Sequence, residues 1–75
     1  MNVRDIRQMT DDALLNTVED TREALFNLRF QKASGQLEDT NLLRFTRRNM
    51  ARLLSVQRER QLAAQIAEEE SNHAQ

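Results

Sequence analysis

The sequence predicts an all-α fold: a long antiparallel two-helix hairpin preceded by a short N-terminal helical turn. Three observations carry this. The 75 residues contain no proline and a single glycine, Gly35. The composition is rich in Ala, Leu, Glu, Arg and Gln, the better helix formers. Apolar residues recur at alternating three- and four-residue steps on both sides of that glycine, which is the pattern of helices packed lengthwise. A chain this short forms one domain at most and buries roughly 60% of its unfolded surface, so a marginal core that leans on a partner is expected.

Each element has its own signal. Asn2 stands in an N-cap position with Asp5 three residues on, a weakened capping box that starts a turn or two of helix. Thr10 then precedes Asp11 and Asp12, placing a hydroxyl acceptor and two carboxylates at the positive end of a helix dipole. From that start a helix is predicted over about 11–34, a length of ~36 Å at 1.5 Å per residue. Its seam is Leu14, Val18, Thr21, Leu25 and Leu28, with Phe26, Phe30 and Ala33 as a second stripe on a neighbouring face. That arc is wider than one partner helix covers. Gly35 supplies the left-handed residue that commonly follows a helix end.

The turn at 35–39 is short enough to favour an antiparallel return. Asp39 or Thr40 caps the second helix, predicted over about 40–60 or beyond. Its inward side is Leu42, Leu43, Thr46, Met50, Leu53 and either Val56 or Gln57, with Leu54 alongside. Residues 1–60 thus read as the hairpin domain, and 61–75 as an acidic C-terminal extension, helical and then frayed in SNHAQ.

Little in the chain supports catalysis. There is no cysteine, hence no disulfide framework and no thiolate metal site, and the one histidine, His73, lies near the terminus. Glu68, Glu69 and Glu70 read as a solvated acidic run rather than a cation site, which would need ligands converging from fixed elements. No enzyme activity, cofactor, metal or small-molecule substrate is expected. The absence of a long apolar run argues against a membrane partner and fits an untargeted cytoplasmic protein.

Charge is more informative. The formal net charge is −1, but residues 1–40 carry −3, residues 41–60 carry +5 and residues 61–75 carry −3. The central segment owes its balance to Arg44, Arg47, Arg48, Arg52, Arg58 and Arg60 against Glu59 alone. Local charge at one face governs polyanion binding more than the total does. Arg44, Arg48 and Arg52 stand at i, i+4 and i+8, predicting one stripe, and Arg47 flanks it. Arginine forks suit phosphate oxygens, and a row with one-turn spacing can follow a nucleic-acid backbone. The acids Glu19, Asp20 and Glu23 are expected to reach Arg58 or Arg60 more easily than Arg44 or Arg48.

Near the turn, Asn27, Arg29, Gln31 and Lys32 alternate with the phenylalanines, and Ser34, Gly35 and Gln36 offer small polar groups, with Asn41 across the turn. Such groups suit phosphate and 2′-hydroxyl contacts. Phe26 and Phe30 have faces that stack on bases, but aromatic residues at helical spacing are more often core, and core is the expectation here.

FNLRFQKASGQL, followed after a short gap by LLRFTRRNMAR, resembles the signature of the large ribosomal subunit protein twenty-nine family, with TDDAL where that family opens its helix. The resemblance runs from about Val3 to Gln57. It implies a structural component of the ribosome, in the cytoplasm, that binds large-subunit ribosomal RNA near the exit of the polypeptide tunnel beside ribosomal protein twenty-three. Arg47, Arg48 and Arg52 match the family's RRxxAR-like motif; Asn27, Arg29, Gln31, Gly35 and Gln36 match its first motif. The chain departs in its lack of overall basicity, in Met50 where another aliphatic residue is usual, and in the acidic extension. Two other readings stand beside this one: a homodimer pairing the Leu and Phe faces into a four-helix bundle, and a coiled-coil adaptor for another protein.

Overall fold

A computed structural model describes residues 1–73, which form three helices: α1 (Val3–Arg7), α2 (Asp11–Ala33) and α3 (Thr40–His73). α2 and α3 pack against each other as the hairpin, α1 packs on α3, and the molecule extends 60 × 21 × 17 Å. The all-α hairpin with an N-terminal turn is therefore the observed architecture.

The helix ends follow local hydrogen bonding. The Asn2 side chain accepts from the Arg4 N–H at 3.0 Å, and Thr10 Oγ1 accepts from the Ala13 N–H at 3.2 Å. Each satisfies a donor that the first helical turn leaves without a partner. At the other end of α2, Gly35 has φ 76°, the Gly35 N–H donates to the Lys32 carbonyl at 3.2 Å, and the Gln36 N–H donates to the Gln31 carbonyl at 2.8 Å. This pair of bonds is the Schellman arrangement, which needs a left-handed residue at that position. Asp39, not Thr40, caps α3: its Oδ1 accepts from the Asn41 N–H at 2.9 Å.

Two apolar clusters hold the hairpin. Toward the open end, here called the base, Leu14 and Val18 of α2 meet Met50, Leu53 and Val56 of α3. α1 adds the fully buried Ile6, and Val3 and Met9 pack around it. Toward the turn, the tip has only Leu25, Leu28 and Leu43, with Leu37 folded back over them. Thr46 is buried between the clusters, its hydroxyl satisfied by donation to the Leu42 carbonyl at 2.8 Å.

Several sequence expectations are corrected. Phe26 and Phe30 are not core: they remain 67% and 65% exposed. Two helices in contact bury only the facing seam of each, and among the described residues no third element lies over the tip to cover a second stripe. Leu42 and Leu54 are exposed for the same reason, and Val56 rather than Gln57 completes the seam of α3. Helix α3 runs from Thr40 through His73, and residues 74–75 of the SNHAQ terminus, expected to fray, lie outside the described residues.

Candidate nucleic-acid interface

Helical spacing and the hairpin geometry divide the arginines of α3. Lys32 of α2 and Arg44, Arg47 and Arg48 of α3 line one open groove of about 410 Å³, together with Thr40, Leu43 and Ala51. The groove lies near the tip, where the small Leu25–Leu28–Leu43 cluster leaves the flanks of both helices uncovered. All four cations are exposed, and among the described residues none of them forms an ion pair with a carboxylate. Like charges that crowd without internal counterions raise the local potential and favour an anion.

Arg52 departs from the row. Its Nη1 donates to the Met1 carbonyl at 3.2 Å, so it meets the N-terminal segment instead of lining the groove. The cause is geometric: each four-residue step overshoots a full turn, and from Arg44 to Arg52 the row winds by roughly 80° around the helix. One sequence stripe therefore serves two different flanks of α3.

Arg60 is removed from the basic face altogether. Its Nη1 donates to Asp11 Oδ1 at 2.8 Å, while Nη2 donates to the Met9 and Arg7 carbonyls at 2.6 and 3.2 Å. The side chain is only 27% exposed. It satisfies carbonyls released where α1 ends and ties that segment to the start of α2, at the positive end of whose dipole Asp11 sits. The acid it meets is Asp11 rather than Glu19, Asp20 or Glu23, and none of these three forms an ion pair among the described residues. Nearby, Arg7 Nη2 donates to Glu59 Oε1 at 3.0 Å. That hydrogen bond, reinforced by the Glu59 charge, raises the Arg7 pKa above its ordinary value. The one acid of the basic segment is thus occupied at the base, away from the groove.

The other candidates fall around the tip. At about 100° per residue, Arg29 lies on the groove side of α2, whereas Asn27 and Gln31 lie on the opposite flank. All three are exposed. Ser34 Oγ donates to the Gln31 carbonyl at 3.2 Å, and the backbone N–H groups of Gly35 and Gln36 are spent in the helix-ending bonds. The turn therefore presents carbonyls and side chains, and those two amides are already engaged. Asn41 uses its N–H on Asp39 and keeps its side chain in solvent.

Sequence reasoning missed Ile6 and the role of Arg60. Val3, Ile6 and Met9 recur every third residue, a faint periodicity over a five-residue helix and the link that follows it, and nothing local to Arg60 identifies carbonyls some fifty positions away. Among the described residues no cluster of His, Asp and Glu is placed to hold a metal ion, and no helix is long and apolar enough to cross a membrane.

The family described as Ribosomal L29 protein matches residues 4–60, which take in α1 from Arg4, all of α2, the turn and α3 as far as Arg60. Large ribosomal subunit protein uL29 of Saccharopolyspora erythraea is 43% identical over 65 residues, covering 87% of this chain and 81% of that protein. The protein of the same name from Crocosphaera subtropica is 45% identical over 60 residues, covering 80% and 77%. That from Mycolicibacterium smegmatis is 47% identical over 58 residues, covering 77% and 75%. With its helical hairpin, its basic groove at the tip and a match over most of its length, the chain belongs to the ribosomal L29 protein family.

Proposed function

We infer that this protein is a structural, non-enzymatic constituent of the large ribosomal subunit and binds large-subunit ribosomal RNA with the tip of its hairpin. The observation that carries the RNA interaction is the groove lined by Lys32, Arg44, Arg47 and Arg48, four cations without carboxylate partners among the described residues. Phosphate oxygens fit the planar donor forks of arginine, and the exposed Arg29 extends the positive surface across α2. Asn27, Gln31, Ser34, Gln36 and Asn41 surround the turn with polar groups suited to sugar and phosphate contacts. Arg52, exposed on α3 with one N–H donated to the Met1 carbonyl, adds a further cation for phosphate contact. Resemblance to the family supports a position near the polypeptide exit tunnel, next to ribosomal protein twenty-three.

RNA binding is tested by the salt dependence of affinity for protein-free large-subunit RNA. Removing one cation that neutralises a phosphate lowers the slope of log affinity against log salt by about one. Replacing Arg44, Arg47 and Arg48 with Ala is expected to weaken binding and flatten the slope by about three. An unchanged slope overturns the assignment. Location is tested separately, by cross-linking the tip in assembled subunits and identifying the neighbouring protein and RNA.

A further inference from the structure

All three phenylalanines of the chain are more than half exposed, while leucine, isoleucine, valine and methionine fill both clusters. The aromatic residues are therefore not spent on holding the hairpin together. Phe26 and Phe30 stand one turn apart on α2, with Arg29 between them and Lys32 just beyond. Helical spacing turns Phe26 and Arg29 to the groove side of the hairpin, with Phe30 toward the outer edge of the same surface. Two exposed rings thus stand on α2 next to Arg29, neither of them lining the groove of Arg44, Arg47 and Arg48 itself.

We propose that Phe26 and Phe30 form a stacking platform for unpaired bases of the bound RNA, a role that rests on the RNA-binding reading and specifies which part of the RNA the tip takes. The surroundings select this occupant. A neighbouring protein that covered the rings with an apolar surface would have to desolvate Arg29 and Lys32 without an anion to pair them. RNA supplies phosphates for the cations and π-faces for the rings at the same time. The platform selects single-stranded or bulged segments, because bases inside a duplex are already stacked on their neighbours. The rings are about 5–6 Å apart at Cβ, so both are within reach of one short unpaired segment.

The test separates a ring from mere apolar bulk. Phe26→Leu/Phe30→Leu keeps the hydrophobic surface and removes the π-faces, whereas Phe26→Tyr/Phe30→Tyr keeps the faces. Because both positions are exposed, the two variants should melt like the parent chain, which circular dichroism checks. With protein-free large-subunit RNA, the Leu variant is expected to bind roughly five- to a hundredfold more weakly, with the salt slope unchanged, and the Tyr variant to bind like the parent. A third variant, Phe30→Trp, introduces the only tryptophan of the chain. Its fluorescence should be quenched by an unstructured RNA oligomer and much less by a fully paired duplex of equal length. A Leu variant that binds protein-free RNA as tightly as the parent overturns the platform, including the case where it fails only in assembled subunits, which would mark a protein contact. Failure of the RNA-binding reading itself has a different signature, namely arginine variants with an unaltered salt slope.

Discussion

The base and the tip of the hairpin are built from the same two helices, yet one is closed and the other open. At the base, a third helix is present: α1 inserts Ile6 between Leu14, Val18, Met50, Leu53 and Val56, and Arg60 and Arg7 tie it down through Asp11, the carbonyls that end α1, and Glu59. At the tip, three leucines and Leu37 are the whole cluster, and the side chains around it point to solvent. A 75-residue chain divides its labour in this way. Internal partners are concentrated at the base, and among the described residues the arginines and aromatic rings at the tip are left without carboxylate partners or apolar cover.

Cutting the core should separate the two ends most sharply. Leu53→Ala, at a fully buried base position, is expected to cost about 2–5 kcal/mol. For a domain whose total stability is on the order of 5 kcal/mol, that is enough to unfold much of the population. Leu43→Ala at the tip should cost clearly less, because fewer buried side chains surround it. Urea unfolding of both variants measures the gap, and equal losses would break the distinction between a closed and an open end.

Releasing the base clamp comes next. Arg60→Met removes donors from the Arg7 and Met9 carbonyls and from Asp11, with an expected loss of about 1–3 kcal/mol. Hydrogen exchange should quicken in α1 while the salt slope of RNA binding stays as it was. A flattened slope would mean that Arg60 works as part of the interface. Gly35→Ala should cost about 1–2 kcal/mol. No atom lies within 4 Å of an added Cβ, so the loss there would come from left-handed backbone strain alone.

The smallest stability effects belong to the groove. Arg47→Ala and Arg48→Ala should each change unfolding free energy by no more than about 0.5 kcal/mol, while each lowers the salt slope for RNA by about one. The Arg7–Glu59 bond sets a further limit. The Arg7 pKa is raised in the fold, so its contribution is complete below the pKa of the unfolded chain and fades only as pH climbs through the higher folded value. Unfolding measured between about pH 6 and 9 should therefore show no slope from Arg7 titration, since even an unperturbed guanidinium stays protonated throughout that range.

Much of this was legible in the residues, and the reasons are local. Asn2, Thr10 and Gly35 mark helix ends because caps and the left-handed turn are decided by hydrogen bonds within a few positions. Leu14, Val18, Leu25 and Leu28 were readable as one seam because helical periodicity puts them on one face. Lys32, Arg44, Arg47 and Arg48 were readable as candidates, but their convergence into one groove was not, since it depends on how α2 and α3 face each other. The phenylalanines misled for a related reason: apolar periodicity shows that a face exists, not that anything in the chain covers it.

Residue order alone thus specifies where the helices begin and end, that they return antiparallel, which family the chain joins, and that positive charge gathers after the turn. Which arginines remain available is a matter of packing. Arg44, Arg47 and Arg48 face a groove, Arg52 turns to Met1, and Arg60 closes the end of α1. The arginines are chemically identical, so what sets Arg52 and Arg60 apart from Arg44, Arg47 and Arg48 is the distant carbonyls and carboxylate that packing brings within reach of those two.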